Sequence, residues 1–261
     1  MTRALLVALS LLFVTGPAAA QGLRARETAE VGPKGSYSVG VFNPLRYALS
    51  DGFELQAHPL LFFVSPNLLA RVGHGSLAGF RLAGEYGVSI PTPAMRLSQG
   101  FLFPTWDKSD RQVGWFLVPR AGLVASRAAR ASDVLTLRLE GAAGIPLTRN
   151  DATAFESVAP LNVLFAPVLT GWRARIGAVY DASLSPSWRL RGYADLWLHG
   201  RQPSLFTVDA GLGLDFAVGE SSRVSFGAMW WNADEHEIDP ATHEPVRSNL
   251  FVPTLDFIWA G

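Results

Sequence analysis

The stretch SLFTVDAGLGLDFAVGESSRVSFGAMWW, residues 204 to 231, decides the fold. Its apolar residues alternate with small or polar ones on both sides of the run Gly219-Glu220-Ser221-Ser222, which is typical of two strands joined by a turn. From Phe206 to Phe216 a strand tilted by about 40° rises about 25 Å, at ~3.3 Å per residue. That rise matches the apolar thickness that a tilted membrane-spanning strand must cross. The stretch therefore predicts a membrane-sized hairpin.

Composition limits the function classes. The 261 residues carry 22 basic and 22 acidic side chains, and this neutral balance gives no support for binding to nucleic acid. Cysteine is absent, so neither a disulfide framework nor a thiolate metal site is expected. Hydrophobic residues reach 49%, yet after the N-terminus no apolar run is long enough for a spanning helix.

The N-terminus predicts the compartment. Met1-Thr2-Arg3 is a short basic start, Ala4 to Val14 is apolar, and Pro17-Ala18-Ala19-Ala20 offers a small-residue cleavage site. These features predict a secretory signal peptide over residues 1–20, with an N-terminal membrane anchor as the alternative. Residues 21–35 are polar and lack a period, so we expect a loose periplasmic lead-in before a single domain, a β-barrel over residues 36–261.

Alternation recurs along that domain and predicts about twelve strands, with a range of 10–14. The segments counted are residues 36–42, 53–63, 76–90, 95–103, 112–125, 133–143, 161–169 (apolar on both faces), 172–184, 188–199, 206–216, 223–231 and 249–259. An even number places both termini and the turns 185–187 and 219–222 in the periplasm, and the acidic loop 232–247 outside. The connection 149–156 is longer than this scheme predicts for its side.

Two all-β architectures fit such alternation. In a soluble sandwich the apolar faces fill a core, whereas in a transmembrane antiparallel up-and-down barrel they face lipid and the charges face the lumen. Aromatic residues near strand ends favour the barrel, because they mark the membrane interfaces. These residues are Trp172, Trp188, Phe206, Phe216, Trp230 and Trp259.

The signal peptide, the alternating segments and the terminal Leu255-x-Phe257-x-Trp259 resemble the bacterial outer-membrane β-barrel class. Members of the class usually end on the aromatic residue itself, whereas Ala260-Gly261 follow here. The resemblance implies a location in the outer membrane and contact with its lipid, including lipopolysaccharide. It also implies the barrel-assembly machinery as a partner during biogenesis, and envelope proteins as further candidate partners.

Charged residues of both signs occupy the lumen phase of the strands. They are Arg81, Glu85, Arg138, Glu140, Arg173, Arg175, Asp181, Arg189, Arg191, Asp195, Asp209, Asp215 and Arg223. They would either line a pore and set its selectivity or form an ion-pair network that fills a closed barrel.

Four of these arginines neighbour one short turn and would attract anionic solutes or pair with nearby aspartates. The arginines are Arg173, Arg175, Arg189 and Arg191, and the candidate partners are Asp181, Asp195 and Asp209. We favour pairing.

Other motifs carry weaker signals for chemistry. His74-Gly75-Ser76 has the His-x-Ser spacing of outer-membrane lipid A deacylases, but Leu77 stands where that family has asparagine, so a turn is the better interpretation. Glu54-x-Gln56-x-His58 and the acidic loop 232–247 lack the spacing of a metal site. We predict no catalytic residue, no metal and no cofactor.

The leading hypothesis is therefore a non-enzymatic, narrow diffusion channel resembling a porin for small solutes. The alternative is a closed barrel that anchors an envelope complex, and a lipid hydrolase is a remote third. Large aromatic residues in the lumen phase favour the closed barrel, because they occupy space that a channel needs. These are Phe42, Phe116, Tyr193, Trp197 and Trp231.

Overall fold

The computed structural model describes residues 24–98, 113–130, 132–151, 159–200, 206–238, 240–243 and 245–261. The predicted signal peptide lies outside these residues. Within them, no helix is long and apolar enough to cross a membrane.

Twelve antiparallel strands close into a barrel. Each pairs with the next along the chain, except that β7 pairs with β9 and β13 pairs with β1. The strands are β1 Tyr37–Gly40, β2 Leu45–Ser50, β3 Phe53–Ala57, β4 Asn67–Leu77, β5 Phe80–Ser89, β6 Phe116–Ala128, β7 Val134–Ala143, β9 Trp172–Ser185, β10 Trp188–His199, β11 Phe206–Ala217, β12 Ser222–Ile238 and β13 Pro245–Ala260. The two-residue β8, Ile145–Pro146, pairs with β6 alone. The predicted fold class is confirmed.

Among the described residues, three helices lie in the long connections: α1 Pro59–Phe62, α2 Thr92–Ser98 and α3 Ala159–Thr170. The prediction of a strand at 161–169 is wrong, because these residues lie in α3. It is also wrong for residues 95–98 of the strand predicted at 95–103, which lie in α2, while residues 99–103 lie outside the described residues. Two strands that the sequence did not predict, β2 and β4, take their places in the ring.

The ends of the barrel differ as expected. Short turns join β9 to β10 and β11 to β12 at the end where β1 begins and β13 ends, and Tyr37 N donates to Gly261 O at 2.7 Å there. The long connections lie at the other end. Residues 149–151 and α3 lie at this long-loop end, which removes the conflict in the predicted scheme, while residues 152–158 lie outside the described residues. The predicted loop 232–247 is shorter, because β12 continues to Ile238 and β13 begins at Pro245.

Burial is inverted relative to a soluble protein. Charged side chains such as Asp195 and Arg189 are almost fully buried inside the ring, whereas Leu139 and Leu212 on the outer face are 55% and 59% exposed. A sandwich with its apolar faces packed together would show the reverse. The outer face is therefore suited to lipid and the inner face to ion pairs.

Helix α3 lies across the long-loop end of the barrel. Val163 packs against Trp197 and Trp231 on the inner face, and Phe165 packs with Met95 of α2 and Phe116 of β6. This end of the lumen is therefore covered by apolar side chains of the chain itself.

Candidate functional site: a lumen filled by ion pairs

Residues 24–31, here called the luminal segment, cross the barrel at the end where β1 begins and β13 ends. The expectation of a loose lead-in is wrong for this part. Arg26 Nη2 donates to Asp215 Oδ1 and to Ser225 Oγ, both at 3.0 Å. Arg223 Nη1 donates to the carbonyl oxygen of Arg24 at 2.9 Å. One side of the segment is thus fixed to β11 and β12.

Glu27 is at the centre of the segment. Its carboxylate accepts hydrogen bonds from Arg138 on β7, at 2.5 Å, and from Arg191 on β10. Arg138 Nη2 also donates to the backbone oxygen of Glu27 at 3.2 Å. Two wall arginines, whose side chains are only 12% and 14% exposed, therefore hold one carboxylate of the luminal segment.

The segment reaches the opposite wall through its next residues. Arg71 Nη1 on β4 donates to the Thr28 carbonyl oxygen at 2.9 Å. Ala29 N donates to Ser126 Oγ on β6 at 2.8 Å. The last contact, between Glu30 and Arg81 at 3.2 Å, lies at the rim, where both side chains are more than 60% exposed.

The remaining wall charges pair with one another. Arg175 Nε donates to Asp195 Oδ1 at 2.9 Å, and Arg189 pairs with Asp181. Both pairs follow the expected pairing of arginines with nearby aspartates. Arg173 instead donates to Glu140 at 2.8 Å.

Asp209 differs from the other predicted lumen charges. It accepts a hydrogen bond from Trp197 Nε1 at 2.6 Å rather than forming an ion pair. The other twelve predicted lumen charges all take part in ion pairs within the described residues. Their predicted role as the wall of a pore stays a prediction.

Sequence reasoning missed Arg26, Glu27 and Arg71. Arg71 lies on β4, a strand that was not predicted, and the other two lie in the supposed lead-in. A signal was present, because residues 24–30 carry both signs of charge, as the lumen phase of the strands does.

Aromatic side chains and arginines stack on one another in the lumen below α3. The guanidinium carbons of Arg173 and Arg175 lie 5.0 and 4.7 Å from the ring centre of Trp197. Arg173 Nη1 donates to the carbonyl oxygen of Val163 in α3 at 2.8 Å. Phe116, Trp197 and Trp231 are buried as expected, whereas Phe42 is 67% exposed and does not fill the lumen.

The predicted interface aromatics are spread along the strands. Trp188, Phe216 and Trp259 lie near the short turns, and the ring centroids of Trp188 and Phe216 are 4.6 Å apart. Trp172 and Phe206 are the first residues of β9 and β11 and lie at the long-loop end. Trp230 lies at the middle of β12, opposite Ala210 of β11. The predicted position of these aromatics at the membrane interfaces stays a prediction.

The weaker motifs have structural roles or no shared contact. His74 and Ser76 lie exposed beside a bulge in β4, and no hydrogen bond joins them. Gln56 donates to Glu54 at 2.7 Å, while His58 caps α1 by accepting from Leu61 N at 3.3 Å. Within the described residues, no group of three or more His, Cys, Asp or Glu could hold a metal. The side chains of the acidic stretch 234–239 lie outside the described part.

The closed antiparallel ring, its charged interior and its apolar exterior decide the class. The fold is that of an outer-membrane β-barrel. No model of a known protein family and no curated protein sequence matches the chain.

Two solved structures are similar. OmpT, an outer membrane protein of Vibrio cholerae folded in vitro, matches with a TM-score of 0.43 and 8% identity over 86% of this chain. That match covers 64% of the Vibrio cholerae chain, so this chain spans less than two thirds of its length. An outer membrane channel from Pseudomonas putida F1 matches with a TM-score of 0.44 and 12% identity, over 92% of this chain and 100% of the other.

Proposed function

We propose that this chain is a narrow outer-membrane channel for small solutes and that its own luminal segment closes the lumen at rest. The observation that carries the proposal is the position of Glu27 between Arg138 and Arg191. The lumen is crossed by a terminal segment, which can leave without breaking the ring of strands.

The way the segment is held supports this proposal. Its described contacts to the barrel wall are ion pairs, side-chain hydrogen bonds and the packing of Ala29, and it adds no strand to the sheet. Paired charges in a low-dielectric lumen lose much of their stabilisation when one partner is neutralised. A change in charge at one residue should therefore release the segment while the barrel stays folded.

The wall that the segment covers has the chemistry of a selective pore. Departure of the segment would expose Arg138, Arg191 and Asp215 to the lumen, and mixed charges at a constriction select small solutes by size and charge. A twelve-stranded ring is narrow, which agrees with small solutes rather than folded polypeptides.

Conductance across planar bilayers tests the proposal. Glu27→Gln leaves two buried arginines without their carboxylate. We therefore expect the fraction of recording time in which the channel conducts to rise at least tenfold relative to the unsubstituted protein. Glu30→Gln is the matched control, because the exposed pair with Arg81 stabilises the segment by less than about 1 kcal/mol. Equal conductance in the two variants would contradict the proposed role of the segment.

The second candidate is a closed barrel that anchors an envelope complex. The position of α3 across the long-loop end favours it, because Val163 packs on Trp197 and Trp231 and covers the lumen there. The same recordings separate the two candidates: a folded protein that never conducts, even as Glu27→Gln, and that co-purifies with a stoichiometric partner would be the anchor. We propose no hydrolase activity, since nothing joins His74 to Ser76.

A further inference from the structure

The strands of the barrel wall are unequal in length. β1, β2 and β3 have 4, 6 and 5 residues, whereas β13 has 16. A strand that crosses the apolar layer needs about 9–11 residues. The last ladder pair between β1 and β13 joins Gly40 to Ile258. Within the described residues, β13 has no neighbouring strand on that side beyond this point, and we call the space beside residues 250–256 the lateral gap.

Backbone groups of β13 face this gap. Phe257 O accepts from Val41 N at 3.2 Å, so the N–H and C=O groups of alternate residues, Phe251 and Leu255 among them, point to the same side. The described residues offer these groups of Phe251 and Leu255 no hydrogen-bond partner on that side. Backbone N–H and C=O groups without a hydrogen-bond partner strongly destabilise the fold where they contact lipid.

Pro253 occupies the same row. Proline has no N–H and is tolerated in a sheet where its nitrogen faces away from a ladder, as here. Its ladder partner on the other side is Ala228 of β12. A proline on an open edge also hinders the addition of a further strand. Pro253 therefore favours an open edge of β13 and disfavours its pairing with a strand of a partner protein.

The inner face of β13 has accessible space behind the gap. Leu250, Val252 and Thr254 point inward but are half-buried, whereas Asp256 and Ile258 farther down are buried. Asp256 forms the floor, because its Oδ1 accepts from Val41 N at 2.8 Å and from Phe42 N at 3.1 Å. The lateral gap therefore begins on the long-loop side of Asp256 and opens to the part of the lumen next to α3.

The rim of the gap is apolar. Phe42, whose N–H donates to Asp256 Oδ1, is 67% exposed, and Phe251 on β13 is 72% exposed. Such a rim is suited to contact with acyl chains rather than with water.

Polarity changes across the lumen behind the gap. On the near wall, Met229 and Leu250 pack against the buried cluster that contains Trp231. On the nearby strands β7, β9 and β10 lie the Arg175–Asp195 and Arg173–Glu140 pairs, whose arginines stack on Trp197 of the same cluster. Trp231 Nε1 is buried and has no hydrogen-bond partner among the described residues. A ligand with an apolar body and a polar end fits both sides.

We infer that the lateral gap is an opening through which a single-chain amphiphile passes from the membrane into the part of the lumen next to α3. Its apolar body lies against Leu250 and Val252, and its polar end supplies hydrogen-bond groups to the edge of β13 and to Trp231. The inference goes beyond the proposed channel, because such a ligand does not have to pass the luminal segment.

Binding of 11-(dansylamino)undecanoic acid to the purified full chain in nanodiscs tests this opening. We expect saturable fluorescence enhancement with the unsubstituted protein and at least tenfold weaker binding for Thr254→Trp, which fills the space behind the gap. Leu255→Trp, one residue along and facing lipid, is the control and should bind normally. Equal binding by both variants, or no saturable binding by the unsubstituted protein, would overturn the inference.

A second measurement does not depend on that bulky substitution. Because the chain has no cysteine, a nitroxide can be placed at Val252→Cys, with Leu255→Cys as a lipid-facing reference and Val179→Cys as a buried inward reference on β9. We expect oxygen to reach the label at 252 nearly as often as the label at 255. Accessibility as low as at 179 would overturn the inference. Neither assay measures conductance, so both give their result whether or not the channel proposal holds.

Discussion

Arg138 Nη2 lies 2.5 Å from the carboxylate of Glu27, which ties the N-terminal segment to the wall strand β7. This contact joins residues 111 positions apart in the chain. Within the lumen, the charges of the luminal segment and those of the barrel wall neutralise each other. The interior charges therefore form a packed network in this state, and a pathway for solutes requires part of that network to open.

A charge on the outer face should destabilise the barrel according to its depth. Leu139→Arg places a cation in the middle of the apolar band and should lower the free energy of unfolding by about 2–4 kcal/mol, whereas Leu184→Arg beside a short turn should cost about 0–1 kcal/mol. Urea unfolding in lipid vesicles measures both. Similar costs at the two positions would contradict the assignment of this face to lipid.

The packing of α3 depends on a glycine. A Cβ at Gly144 would lie 1.9 Å from the Pro167 carbonyl oxygen in α3, whereas a Cβ at Gly141 would meet nothing within 4 Å. Gly144→Ala should therefore destabilise the protein by about 1–3 kcal/mol, as overpacking does. Gly141→Ala is the control and should leave the unfolding midpoint unchanged. Equal midpoints for the two variants would show that α3 does not pack there.

The floor of the lateral gap depends on Asp256. Asp256→Ala removes the acceptor of the Phe42 N–H, and leaving that group unpaired should cost about 1–3 kcal/mol. It also removes one of the two acceptors of the Val41 N–H, which still donates to the Phe257 carbonyl oxygen. Asp256→Asn keeps a carbonyl oxygen and should cost less. Hydrogen exchange of these two amides reports the effect directly, and unchanged protection in Asp256→Ala would contradict this role.

Acid should weaken one contact at the turn that precedes β7. The hydrogen bond from Ser183 N to Asp133, followed by that from the Tyr180 hydroxyl, holds the pKa of the Asp133 carboxyl below its ordinary value. A lowered pKa in the folded state stabilises the fold above the unfolded pKa, about 3.9, and this contribution is lost as the pH falls through the folded value.

Urea midpoints of the unsubstituted protein and Asp133→Asn at pH 6 and pH 3 measure this contribution. The difference between the two proteins should shrink at pH 3, because this pH lies below the unfolded pKa, where the stabilisation from the charged carboxyl begins to be lost. A difference that does not change with pH would rule out the contribution of the charged form.

The sequence predicts the long strands well and the short or irregular elements poorly. The segments 172–184, 188–199 and 206–216 nearly coincide with β9, β10 and β11, because strict alternation over more than ten residues matches the period of a strand and not that of a helix. The total of about twelve strands agrees with the structure partly because two errors of each kind cancel. β2 is only six residues long, and β4 is interrupted by a bulge between Gly73 and Gly75.

The helices and the contacts of the luminal segment could not be predicted from the sequence pattern. Residues 161–169 are apolar on every face, and such a run cannot be assigned to strand or helix by its period. Contacts of Glu27 with Arg138 and Arg191 join distant parts of the chain, and nothing in residues 21–35 has a period that would indicate them. The lumen charges were found because alternation fixes the inward face, whereas their individual partners depend on the register between strands.

A reversible tether tests the central claim that the luminal segment closes the channel. Ala29 N and Ser126 Oγ are 2.8 Å apart, so Ala29→Cys and Ser126→Cys place two thiols where the segment contacts β6, in a chain that has no other cysteine. Loss of both free thiols on oxidation reports that the disulfide forms. We expect planar-bilayer recordings of this double variant to show no stepwise conductance when oxidised and to gain it on addition of a reductant, while Ala29→Cys alone responds to neither condition. Conductance that is the same in the oxidised and reduced states would contradict the account.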